Sequence, residues 1–142
     1  MVDRERLLFR DAGNLFKMAQ RLQSVAMKTK YPLEAFIFVR NGLDFTVRSI
    51  HGDPEKAGSN ANRHISGQQL CYGLRDYAVE QYGLLARTVL QRWSIHCSED
   101  FGHIVFAMVD AGEMAKTDDD TLENFAGVYD FSEAFSPTLS LK

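Results

Sequence analysis

Cysteine occurs twice in 142 residues, proline three times and tryptophan once. The cysteines, Cys71 and Cys97, stand 26 positions apart with no C-x-x-C unit. That scarcity excludes a disulfide-stapled scaffold and favours a reduced, cytoplasmic protein. Long apolar runs are missing too. The longest, 35–39 and 104–109, fall far short of the ~20 residues that span a bilayer. The start, Met1-Val-Asp-Arg-Glu-Arg, offers no apolar h-region and no small-residue cleavage site, so a secretory signal is not expected. No P-loop or dinucleotide fingerprint occurs, and Asp100-Phe101-Gly102 spells a kinase tripeptide without the phosphate loop or the H-R-D loop. Neither charge sign is in large excess: 16 Lys+Arg against 19 Asp+Glu leave −3, which argues against a generic polyanion binder.

What is present is the material of an ordinary globular domain, 45% apolar and 25% charged. Charge is unevenly spread. Residues 1–50 carry +4, residues 51–95 carry +1 and residues 96–142 carry −8. Such a split can pair N-terminal with C-terminal helices, within a chain or between subunits.

Apolar spacing reads as helix throughout. From Arg4 to Lys28, Leu8, Ala12, Leu15, Ala19, Leu22 and Ala26 alternate steps of four and three and share one face. A second helix runs from Pro32 to Ile50, with Phe36, Val39, Leu43, Val47 and Ile50 as its buried stripe. Residues 51–64 form a polar linker, expected to be a mobile loop. Ser66-Gly-Gln-Gln69 fits a capping box, with Ile65 and Leu70 placed as a hydrophobic staple. The third helix therefore starts at Ser66, and Gly83 ends it. A fourth helix from Leu84 to Trp93 presents Leu85, Val89 and Trp93. Ser94-Ile-His-Cys97 is a tight turn, and Ser98 is placed to cap a fifth helix that ends at Gly112. Residues 113–116 suit a short extended piece, Thr117 to Asp120 can cap a short helix through Phe125, and Asp130 can cap a last turn. Residues 136–142 read as a frayed tail.

The fourth helix, turn and fifth helix have helix-turn-helix proportions, and the extended piece sits where a winged-helix protein begins its wing. A DNA reader needs basic or amide side chains at the start of the second helix. Glu99 and Asp100 stand there instead and would repel phosphate. His96, Cys97, His103, His51 and His64 lack the spacings of a zinc site, and Asp118-Asp119-Asp120 lacks those of a calcium loop. Cys97 with His96 or His103 as base is opposed by the carboxylates beside it, which disfavour a thiolate. No catalytic, cofactor or metal residue is assigned. Phe125, Tyr129, Phe131 and Phe135 form a late aromatic stripe among acids. It either folds over the core or, with Glu99 and Asp100, docks on a partner.

Taken together, His64 to Gln69, Tyr77-Ala78, Tyr82-Gly83, Trp93, Ser98-Glu-Asp-Phe-Gly102, Ile104-Val-Phe106 and Tyr129-Asp-Phe131 resemble the small uncharacterised "repeat protein" family of planctomycetes and verrucomicrobia. That family's pattern is S-G-Q-x-L, then W, then T/S-E-D-F-G-x-I-V-F, then Y-D-F. The likeness covers about residues 30–135 and matches least over the first 30. It implies a bacterial, cytoplasmic protein and brings no activity with it.

The expectation is an all-α single domain over 1–135, a bundle of five to seven helices with a helix-turn-helix or winged-helix-like C-terminal half. Its expected role is a non-enzymatic protein-interaction or scaffold module, binding a protein partner or itself. The alternative is a DNA-binding regulator using the basic N-terminal half for phosphates.

Overall fold

The structure, a computed structural model, describes the backbone of residues 2–3, 12–52 and 64–136, and the side chains of 16–52 and 64–136. The expected helix start at Arg4, the apolar position Leu8, the side chain of Leu15, the loop between His51 and His64, and the tail past Ser136 lie outside that description.

Within them the chain is mostly helical, as its periodicity demands. Helix α1 (Ala12–Ala26) buries Met18, Leu22, Val25 and Ala26. Helix α2 (Leu33–His51) is entered through Pro32 as the N-cap rather than as a helical residue. Its buried residues surround most of the cylinder and include Phe36, Phe38, Val39, Leu43 and Val47. Ile50, expected on the stripe, is instead exposed, because the packing ends one turn earlier at Val47.

Helix α3 (Gly67–Tyr82) begins with both halves of the expected capping box. The Gln69 N–H donates to Ser66 Oγ at 3.1 Å, and the Ser66 N–H donates to Gln69 Oε1 at 2.9 Å. Leu70, Cys71, Leu74 and Ala78 turn inward. Gly83, with φ +54, closes the helix in a backbone region that L side chains rarely adopt.

Crossing α2 against α3 requires glycine. A Cβ on Gly73 would stand 1.9 Å from Thr46 Oγ1, and one on Gly42 would stand 2.3 Å from Leu74 Cδ2. Beside this crossing Phe38 stacks with Tyr77 and Trp93, at centroid distances of 5.3 and 5.6 Å.

A 3-10 turn (Gly83–Leu85) leads into α4 (Ala86–Arg92), whose inward residues are Ala86 and Leu90. The expected inner set of Leu85, Val89 and Trp93 is corrected: the 3-10 turn tightens the chain and rotates the following face, leaving Leu85 outside. Trp93 packs half-buried against the core. Helix α5 (Ser98–Asp110) is capped at Cys97, one residue before the expected Ser98. Phe101, Ile104, Val105 and Met108 are its buried side.

Strand β2 (Met114–Ala115) occupies the expected extended piece and pairs antiparallel with β1 (Val2–Asp3), Val2 opposite Ala115 and Asp3 opposite Met114. Among the described residues no second strand follows β2. A 3-10 turn (Leu122–Phe125) starts from Thr121, not from Thr117. Asp120 is drawn back to accept from the Thr117 N–H at 2.8 Å, which makes 117–120 a turn. Helix α6 (Phe131–Ala134) is capped as expected by Asp130, which accepts from the Ser132 N–H at 2.7 Å.

Candidate interaction surface

The C-terminal aromatic stripe closes the core. Phe125 and Phe131 are buried, so neither belongs to an outward face. Phe125 lies across Gly102, where an added Cβ would come within 2.9 Å of it. Ser98, the first residue of α5, explains how the segment is held. Its hydroxyl donates to Phe125 O at 2.7 Å and accepts from the Val128 N–H at 3.1 Å. Tyr129 donates to Cys71 O at 2.6 Å and stacks with Phe131 at 5.7 Å. Phe135 packs edge-on against Phe131 at 5.1 Å and is the half-buried outer end of the stripe.

Asp100 is not a surface charge either. It is 5% exposed and accepts from the Tyr31 hydroxyl at 2.5 Å, the His96 N–H at 2.8 Å and the Cys97 N–H at 3.3 Å. Lys30 Nζ lies 3.7 Å away. Burial pushes the carboxyl up, but the hydrogen bonds from Tyr31, His96 and Cys97, with the charge of Lys30, outweigh it and hold Asp100 below the usual carboxylate range. Glu99 is turned sideways, where its Oε2 accepts from the Gly127 N–H at 3.2 Å. Of the six residues expected on a partner face, Asp100, Phe125 and Phe131 are thus corrected to interior positions. The start of α5 needed local acceptors for its free N–H groups, and the core needed the aromatic rings.

Among the described residues, one apolar surface that does face solvent lies elsewhere. An open groove of about 520 Å³ runs between the C-terminal half of α3 and the end of α6. Val79, Gly83 and Leu84 line one wall, and Ala134 and Phe135 the other. Val79 is 45% exposed, Leu84 66% and Leu85, adjacent to the groove, 64%. Polar residues edge it. Arg75 lies 3.1 Å from Asp76 through Nη2 and stacks over the Tyr72 ring at 5.2 Å, and Glu80 lies one turn beyond Asp76. Phe135 alone links this surface to the six residues expected from sequence. Val79, Leu84 and Leu85 were missed, although a signal existed. That signal is at Val79, which falls beside the Leu74 and Ala78 stripe rather than on it, while nothing comparable marks Leu84 and Leu85.

The remaining chemistry-bearing residues do not converge. Among the described residues no group of three or more His, Cys, Asp or Glu is placed to hold a metal ion. His51 Nε2 donates to His64 O at 2.8 Å, while His64 Nε2 lies 3.4 Å from Asp120. Burial pushes the Cys97 thiol up, and the charges of Asp100 and Glu99 add to that. Cys71 is buried and its thiol is pushed up to about 12, again first by burial. Among the described basic side chains of the N-terminal half, Lys17 and Lys28 are exposed, while others are turned to acids or inward. Arg21 Nε meets Glu113 at 2.8 Å, Arg48 meets Asp44 at 3.2 Å, and Arg40 is buried. Among the described residues no helix is long and apolar enough to cross a membrane. No protein-family model, no curated protein and no solved structure matches the chain.

Proposed function

We propose that the protein is a non-enzymatic protein-interaction module that docks a protein partner along the groove between α3 and α6. The observation that carries this reading is the exposure of Leu84 and Leu85 beside Val79 and the open wall of Phe135. Covering a leucine side chain fully is worth about 1.5–3 kcal/mol, and the folded chain gains only part of it while Leu84 and Leu85 stand 66% and 64% exposed. An apolar centre with a charged edge is also the anatomy of an interface. On this reading, α4 and α5 form a helix-turn-helix-like scaffold outside the groove, whose lining comes from residues 75–84 and 134–136. Use of that pair on DNA is disfavoured, because carboxylates, Glu99 and Asp100, stand at the start of α5 where a DNA reader needs basic or amide side chains.

A photo-crosslinking amino acid placed at Val79 or Leu84 in the native host tests the reading. Discrete covalent adducts are expected from both positions and none from the same probe at exposed Asp110. Identical patterns from all three, or no adduct from any, would overturn it.

A further inference from the structure

We draw no further inference here: the strongest candidate, the exposed apolar groove between α3 and α6 with Leu84 and Leu85 at its edge, belongs to the interaction surface already described, and nothing in the structure shows what covers it.

Discussion

Asp100 holds the entry to α5 by accepting four hydrogen bonds, from the Tyr31 hydroxyl, the His96 and Cys97 N–H groups and the Cys97 thiol, and its neighbourhood sets two measurable properties. Asp100→Asn keeps the volume but loses the charge and reverses one acceptor, so it is expected to lose about 2 kcal/mol of stability in urea unfolding at neutral pH. The carboxyl is held below its ordinary value in the folded chain, so the folded state binds its proton less tightly than the unfolded one. Its contribution is therefore complete above about pH 4, the unfolded carboxylate's pKa, and is lost as the pH falls through the folded value. Unfolding midpoints measured from pH 7 to pH 2 should converge for native and variant chains at the acid end. Tyr31 carries the mirror-image shift. Burial and then the bond to Asp100 hold its phenol above the ordinary range. The cysteines separate in the same terms. Cys97 is exposed, whereas Cys71 is buried with its thiol pushed up to about 12. Mass spectrometry after iodoacetamide at pH 8 should find one alkylated site in the folded chain, at Cys97, and the second only in denaturant.

Between elements, the α2–α3 crossing is the most demanding contact. Gly73→Ala would drive a methyl group into Thr46 Oγ1, Cγ2 and Cβ, none farther than 2.7 Å from it. Helix propensity favours alanine by about 1 kcal/mol at such a position, yet overpacking costs about 1–3 kcal/mol and more where neither backbone can retreat. Net destabilisation of about 2 kcal/mol is expected by thermal unfolding, and adding Thr46→Ala should recover part of it. A net gain in the single variant would show that the helices can part. Neither Gly42 nor Gly73 announces this role locally, because the partner of each is on another helix. The Ser66 cap is the opposite case. All of its atoms lie within four residues, so the S-G-Q-Q string was sufficient to place it, and Ser66→Ala should cost about 1 kcal/mol. Cys97 capping in place of Ser98 is intermediate. Both residues can start a helix, and the choice followed from Ser98 being needed inside, where it bridges Phe125 O and the Val128 N–H.

Across the whole molecule, charge and apolar pattern met different fates. The split of +4 and −8 implied that N-terminal bases would meet C-terminal acids, and Arg21–Glu113 and Lys30–Asp100 are such meetings within one chain. Arg21–Glu113 spans α1 and the approach to β2, so Glu113→Gln should lower stability by about 1 kcal/mol in low salt and by less in 1 M NaCl, read from urea midpoints. An equal loss at both salt concentrations would mean that packing, not charge, holds that contact. Sequence alone determined the mostly helical character, the capping box at Ser66, the stop at Gly83, the cap at Asp130 and the sense in which the two ends attract. Each of these depends on neighbours along the chain or on a sum over it. Tertiary structure alone decided which apolar side chains were covered. Phe125 and Phe131 turned inward and Leu84 and Leu85 outward, although all four are apolar residues flanked by helix signals. It also drew Asp100 inside and paired β2 with residues at the far end of the chain. The reason is that periodicity specifies a helix's faces but not its neighbours. A side chain is buried only when another element, placed by distant residues, arrives to cover it.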